Sequence, residues 1–519
     1  MQQHGTWAGF VRYCLSRRSL VVGGVGLLSS AALSVIWSCA ASAPGVTTGG
    51  QQDIASARRT IEQGGIPDPE SISVEGFLSE HSIPVEEPED AGLLYATASV
   101  AWNADLRVFT PVATVAVGFG TTVDEETFER PALNLGLVID VSGSMGELID
   151  EPSGTSKLEA VKIAVDRLLA RLDGNDRVSL VIFNTVTHLL VETARGDDIA
   201  TIKSALDELE ADGGTDLAKG MRRAYQVVRE HQTDARADRL IVFTDVLLTA
   251  RPNRQADDLI EVMTDYSAYN VGATLFGVGT DFGHEVAYDI SLIRGGNYFF
   301  LSDYERIVTV FDEEFDYLVT PVAYDVLLTA TVPFEFDVVG VYGIPEEAPF
   351  PHRLELEIPT LFLSSREGGG ATLIRIRPGA LVDFTAANVI ADLALSYTTP
   401  EGERITQPSV QAVMPSGFDA ESTVNYFEND GVKRAVLLLN TALALRGACE
   451  DADAYYEDEY WDYHPADYDA AIDRLTELLP YFDALAAGLE DRVSESSRSL
   501  SQERALIEKL LENLHSRWW

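Results

Sequence analysis

Hydrophobic and polar residues follow three rhythms along this chain. Between Leu93 and Gly118 they alternate, as in Ala96-Thr97-Ala98-Ser99-Val100-Ala101-Trp102 and Ala113-Thr114-Val115-Ala116-Val117, the period-two signature of half-buried strands. From Leu133 to Asp303 short continuous apolar runs take over and are separated by amphipathic stretches. Runs of that kind fit parallel strands buried on both faces by helices. The predicted strands are Leu135 to Ile139, Arg177 to Phe183, Leu240 to Phe243, Ala273 to Val278 and Tyr298 to Leu301, with His188 to Glu192 as an antiparallel edge. The predicted helices are Leu158 to Leu172, Ile199 to Leu209, Leu217 to Glu230, Ala256 to Tyr269 and Glu285 to Ile293. Alternation returns from Val322 in Ala323 to Thr331, Phe336 to Val341, Leu354 to Ile358, Ala371 to Ile376 and Val389 to Tyr397, with a hairpin turn at Pro400 to Glu403.

The expected fold is therefore a doubly wound, Rossmann-like open α/β sheet, flanked by β-sandwich strands and followed by a helical C-terminal region. Strands before and after the α/β block suggest one sandwich interrupted by that block, with two separate β units as the alternative. The implied division is a leader at 1–39, a Gly/Thr-rich tether at 40–53 and an extension at 54–90 with a short helix at Ile54 to Ile61 and proline-broken turns. It continues with sandwich strands at 91–132, the α/β domain at 133–303, further sandwich strands at 304–416 and helices at 417–519. In the last part, Ala420 to Cys449 and Ala466 to Trp519 read as helical, joined by an acidic loop.

Composition narrows the partners. With 38 Lys and Arg against 82 Asp and Glu, the formal charge is −44. Such a surface repels phosphate backbones, which argues against nucleic acid. The cysteines Cys14, Cys39 and Cys449 are too few and too scattered for a disulfide framework or a zinc site. Cys449 reads as a small buried apolar residue.

Cys39 has its own context. Ser16-Arg17-Arg18-Ser19-Leu20-Val21 resembles a twin-arginine export signal, an apolar run from Leu20 to Trp37 follows, and Ile36-Trp37-Ser38-Cys39 resembles a bacterial lipobox. That resemblance implies lipidation at Cys39 and attachment outside the cytoplasm, with Ala40 resembling the class sorted to the outer membrane. The alternative is an uncleaved single anchor, since about 18 apolar residues approach the length that spans a bilayer.

The candidate chemistry sits at strand ends of the α/β block. The first strand ends in Asp140-Val141-Ser142-Gly143-Ser144-Met145, a later helix opens with Gly213-Gly214-Thr215-Asp216, and another core strand closes with Phe243-Thr244-Asp245. Together these resemble the metal-ion-dependent adhesion site of von Willebrand factor type A (VWA) domains, and Leu133 to Asp303 has the matching α/β order. Looser likeness to bacterial VWA lipoproteins extends to Ala55 to Phe77 and to Asp325-Val326 with Val341-Tyr342-Gly343.

The resemblance implies that Asp140, Ser142, Ser144, Thr215 and Asp245 hold one divalent cation, Mg²⁺ first, with Mn²⁺ or Ca²⁺ as alternatives. Hydroxyl and carboxylate oxygens suit a hard cation that keeps waters in its shell. An open position would then accept an Asp or Glu carboxylate from a protein partner. Val246 stands where the family often has Gly. The expectation is a non-enzymatic, metal-dependent binding protein for adhesion or envelope-complex assembly. Its alternative is a scaffold in which the metal only stabilises the loops. No Ser-His-Asp set, His-Glu-x-x-His or phosphate-binding loop with Lys is present for catalysis. The acidic aromatic stretch Glu450 to Asp469 reads as a solvated connection, and the stripe Leu506, Ile507, Leu510, Leu511, Leu514 as intramolecular packing.

Overall fold

The computed structural model describes residues 44–48, 54–105, 110–124, 128–246, 254–279, 284–301, 303–343, 352–367, 371–379, 382, 388–453, 455–457, 462–464, 466–492 and 497–517. In chain order it opens with strand β1 (Pro44–Thr48), helices α1 (Ala55–Glu62) and α2 (Val74–Ser79), and strands β2 (Leu94–Asp105) and β3 (Thr110–Thr121). The α/β block follows as β4 (Leu133–Asp140), α3 (Lys157–Ala170), β5 (Arg177–Phe183), β6 (Thr187–Arg195), α4 (Ile199–Asp207), α5 (Leu217–Glu230), β7 (Ala237–Thr244), α6 (Arg254–Ser267), β8 (Gly272–Val278), α7 (His284–Ser291) and β9 (Gly296–Leu301). Helix α8 (Tyr304–Thr309) then runs through a π-turn, Val310–Glu314, into α9 (Phe315–Leu318). Next come β10 (Pro321–Thr331), β11 (Phe336–Tyr342), β12 (Arg353–Glu367), β13 (Ala371–Pro378), β14 (Asn388–Thr398), β15 (Arg404–Thr406), β16 (Val410–Met414) and β17 (Tyr426–Phe427). The chain closes with α10 (Asp430–Asp451), a hairpin of β18 (Tyr455–Glu457) and β19 (Asp462–His464), α11 (Tyr468–Ala486) and α12 (Leu500–Arg517).

The α/β block is a six-stranded sheet in the order β6-β5-β4-β7-β8-β9, parallel except for β6. Every residue of β4 and of β8 is buried, which is why these strands read as unbroken apolar runs. Helices α3, α4, α8 and α9 cover one face, and α5, α6 and α7 the other. The chain leaves β4 toward β5 on one side and returns to β7 on the other, so the carboxyl ends of β4 and β7 flank the point where the winding reverses. The block extends past the boundary expected at Asp303, because Ile307, Val310, Phe311, Phe315 and Leu318 are buried in the same core as β4. Its last helix is thus α8–α9 and not Glu285 to Ile293; the β-branched residues of Ile307-Val308-Thr309-Val310 had masked the helical spacing.

Strands from both sides of this block share one antiparallel sheet system, so the single-sandwich expectation describes it. One half runs β11-β13-β3-β2-β17 and the other β1-β12-β10-β14 with β15 and β16 on the last strand. Their inner residues, among them Val100, Trp102, Val115, Leu328, Leu356, Ile374 and Leu393, form one core. β3 pairs with β13 from Ala113↔Ile376 to Gly118↔Ala371, joining strands that the α/β block separates in sequence. β1 lies in the stretch expected to be tether: it pairs with β12 and touches β3 at Gly45↔Gly120. Gly120 is required there, since a Cβ would stand 2.3 Å from the Tyr95 ring.

The extension and the C-terminal helices are not separate parts. Ile54, Ile61, Phe77 and Leu78 share a core with α10, α11 and α12, whose stripe residues Ile507, Leu510 and Leu514 are fully buried. The expected turns after Ile61 contain α2, which Ser73 caps by accepting a hydrogen bond from the Gly76 N–H. A buried ion cluster joins α1 and the end of α2 to α12: Arg58 Nη1 lies 2.7 Å from Glu503 Oε2 and Arg58 Nη2 2.6 Å from Glu80 Oε2, and His81 Nε2 lies 3.2 Å from Glu503 Oε1. Asn513 Nδ2 donates to Ile61 O at 2.7 Å and to Gly65 O at 2.9 Å, satisfying carbonyls at the end of α1. The helix expected from Ala420 begins at Asp430, where Asn429 caps it. The helical stretch from Ala466 is broken between Ala486 and Leu500.

The sandwich meets the α/β sheet at the amino ends of its strands. Arg239, early in β7, stacks on Phe362 of β12 with its guanidinium carbon 4.7 Å from the ring centre. Gly295 N–H, ahead of β9, donates to Thr360 Oγ1 at 2.7 Å, and Arg294 lies 4.1 Å over the Tyr324 ring. The carboxyl ends of β4 and β7 are therefore at the far end of the sheet from the sandwich.

Candidate metal site

Asp140 is the last residue of β4 and Asp245 follows the last residue of β7, on neighbouring parallel strands in which Ile139 stands opposite Phe243. Asp140 is fully buried; its Oδ1 accepts the Ser142 N–H at 2.8 Å and its Oδ2 accepts the Thr244 hydroxyl at 2.6 Å. Those bonds fix the carboxylate and bend the chain into the Ser142–Ser144 loop. Burial pushes the Asp140 carboxyl up to about 6, against the opposing pull of the Thr244 and Ser142 hydrogen bonds. Ser142 Oγ and Ser144 Oγ lie 3.3 Å apart, and the Ser144 hydroxyl donates to Asp245 Oδ1 at 2.9 Å.

Thr215 sits on the third loop, half-buried. That loop is tied to the Ser142–Ser144 loop by Gly143 N–H to Gly213 O at 3.0 Å and Asp212 N–H to Val141 O at 2.8 Å. The end of β5 holds it from the other side: Asn184 O accepts the Asp216 N–H at 2.9 Å, and Thr185 Oγ1 accepts the Gly214 N–H at 3.0 Å. Gly213 needs its φ of +84°, and a Cβ there would stand 3.2 Å from Asn184 Nδ2. Asp216 then caps α5 through the Lys219 N–H.

Thus the structure links Asp140, Ser142, Ser144 and Asp245 through side-chain contacts, and brings the Thr215 loop to them through backbone. Among the described residues no group of three or more His, Cys, Asp or Glu side chains could hold a metal, so a cation here would depend on hydroxyls beside the two carboxylates. That donor set, all oxygen, fits Mg²⁺ or a similar hard cation. Val246 turns toward the core beside α5 to α7. Cys39 lies outside the described residues. Cys449 is free and buried, its thiol pushed up to about 12 by burial and then by Glu450. Among the described residues no helix is long and apolar enough to cross a membrane.

Sequence reasoning missed three participants. Thr244 was visible only as the residue before Asp245. Asn184, between β5 and β6, carried no motif. Lys157 looked like an ordinary first residue of a helix, yet its Nζ lies 2.8 Å from Asp245 Oδ2 and 3.2 Å from Glu147 Oε2. Burial pulls the Lys157 ammonium down, but the bonds and charges of Asp245 and Glu147 outweigh it and raise its pKa above the ordinary value.

Residues 135–247 match the family described as von Willebrand factor type A domain. The chain is 27% identical over 287 residues to the Escherichia coli protein YfbK, covering 52% of this chain and 47% of that one. It is 25% identical over 213 residues to the Synechocystis protein sll0103, covering 41% of this chain and 48% of the other. The chain thus spans about half the length of the curated relatives it matches. Among solved structures it is similar to a von Willebrand factor type A protein from Catenulispora acidiphila, at 14% identity and a TM-score of 0.46, over 80% of this chain and 95% of that one. With the strand order, the switch point and the matched segment coinciding, this is a protein that carries a von Willebrand factor type A domain.

Proposed function

We propose that this chain is a metal-dependent protein-binding protein of the cell envelope. In this reading Asp140, Ser142, Ser144, Thr215 and Asp245 hold one divalent cation, Mg²⁺ with Mn²⁺ or Ca²⁺ as alternatives. The observation that carries it is the meeting of two carboxylates and two hydroxyls at the carboxyl ends of adjacent strands, with the Thr215 loop bonded to theirs. When bound, the cation would supply a Lewis-acidic position for an Asp or Glu carboxylate of a partner protein. The chain's own residues prepare that position: Thr244 and the Ser142 N–H fix Asp140, the Ser144 hydroxyl donates to Asp245, and Asn184 holds the third loop.

The role is adhesion or assembly of an envelope complex, without catalysis; among the described residues the hydroxyls of Ser142 and Ser144 contact each other and a carboxylate, not an imidazole base. Attachment runs through a lipid on Cys39 or, alternatively, an uncleaved N-terminal anchor. Calorimetric titration of Mg²⁺ and Mn²⁺ into the full chain and its Asp140→Ala variant tests the reading. One saturable site, lost in the variant, is expected. Equal heats from both proteins would remove these residues from metal binding. A cation that raises the melting temperature without changing capture of an acidic protein partner would leave a loop-stabilising scaffold instead.

A further inference from the structure

Lys157 occupies an unfavourable place for a cation. It is the first residue of α3, where the helix dipole presents partial positive charge. It is nevertheless fixed there: its side chain is 9% exposed, its backbone N–H donates to Glu147 O at 2.8 Å, and its stem passes Gly279, where a Cβ would come within 3.3 Å of Cε. The ammonium meets Asp245 Oδ2, while the other oxygen of the same carboxylate takes the Ser144 hydroxyl. One oxygen of Asp245 is thus committed to the lysine and the other to the hydroxyl cluster. Glu147, the second partner, is 70% exposed on the rim and is screened by water.

We propose that Lys157 sets the charge of the loaded site: it weakens the cation's hold and strengthens the site's hold on a carboxylate. The proposal rests on the metal-binding reading above. Asp140 and Asp245 bring two negative charges, which would neutralise a divalent cation. Lys157 returns one of them, so the loaded site carries a net positive charge toward an incoming anion. At a separation of roughly 6 Å and with water-like screening, a unit charge changes the affinity for a divalent cation by about tenfold. Its effect on a singly charged carboxylate lies farther out and is several-fold. The lysine therefore exchanges metal affinity for ligand affinity, a division that neither carboxylate achieves alone.

The test uses the full chain with Mn²⁺ as the probe ion. Calorimetry gives the Mn²⁺ affinity, and water-proton relaxation reports displacement of Mn²⁺-bound water by a blocked aspartyl peptide. In Lys157→Met, Mn²⁺ is expected to bind about tenfold tighter and the peptide several-fold weaker. Lys157→Arg should keep wild-type values for both. Glu147→Gln removes only the exposed, water-screened partner and leaves the Asp245 contact, so it should shift both constants slightly, in the direction opposite to Lys157→Met. If Lys157→Met weakens both ligands, or leaves both unchanged, the charge-setting role is overturned while the metal site stands. If the wild type and Lys157→Met both fail to bind Mn²⁺, or Asp140→Ala binds it as well as the wild type does, the metal-binding reading itself falls, and this proposal with it.

Discussion

Replacing Glu503 by Gln is the sharpest test of how α1, α2 and α12 are held together. The Glu503 carboxylate is fully buried and faces Arg58 at 2.7 Å, Arg498 at 2.9 Å and His81 at 3.2 Å. Burial pushes this carboxyl up, but the Arg58 charge, then His81 and Arg498, outweigh it and hold it well below the usual carboxylate range. A carboxylate depressed in the folded state contributes stability that is present above its unfolded value near 4.3 and is lost as pH falls toward the folded one. Glutamine keeps the volume and removes the charge, leaving Arg58 buried with Glu80 as its remaining partner. Breaking a buried pair costs about 3–5 kcal/mol, and the surviving Glu80 contact sets the expectation near the lower end, ~3 kcal/mol.

Since the chain has several cores, a single unfolding midpoint would blur this loss. Hydrogen exchange read peptide by peptide isolates it. Peptides from α1, α2 and α12 should exchange on the order of a hundredfold faster in Glu503→Gln at neutral pH, while β4 and β7 stay as in the wild type. Arg58→Met combined with Glu503→Gln should cost less than the sum of the two single changes. Unchanged protection of α12 in Glu503→Gln would refute the view that this cluster fastens α12 to α1 and α2.

Two further outcomes concern the α/β block. The Asp140 carboxyl, raised to about 6 by burial, must lose its proton to serve a cation, so Mg²⁺ affinity should fall about tenfold per pH unit below 6. In the metal-free protein the same raised value means that folding stability declines as pH rises from about 4 through 6, and added Mg²⁺ should restore it; thermal melts across this window check both signs. Gly136→Val should destabilise the block by about 1–3 kcal/mol in denaturant titration, because a Cβ there would stand 2.5 Å from Leu240 Cδ2 and 2.9 Å from Val228 Cγ2.

The α/β block was legible because its signals are local. Leu135 to Ile139 is apolar throughout since both faces of β4 are covered, and Asp140, Ser142 and Ser144 follow within one loop. Asp245 announced itself at the end of another such run. What escaped depends on partners remote in sequence. Lys157 acquires its meaning from Asp245, 88 residues away, and Arg58 from Glu503, 445 residues away. β1 is a strand because β12 offers it an edge, although Pro44-Gly45-Val46-Thr47-Thr48 has the composition of a linker. α2 forms in a proline-broken stretch because Ser73 caps it and Phe77 reaches the bundle core.

The insertion of the α/β block between β3 and β10 has a mechanical consequence. A domain hung on one linker can swivel, and a pull on its tip is borne by a single strand of chain. Here the chain enters from β3 and leaves into β10, both strands of the same sandwich, while Arg239 on Phe362 and Gly295 on Thr360 brace the gap between the two bodies. Torque about either connection is opposed by the other. A load applied at the far end of the sheet, where Asp140 and Asp245 lie, divides between two covalent paths before it reaches the rest of the molecule.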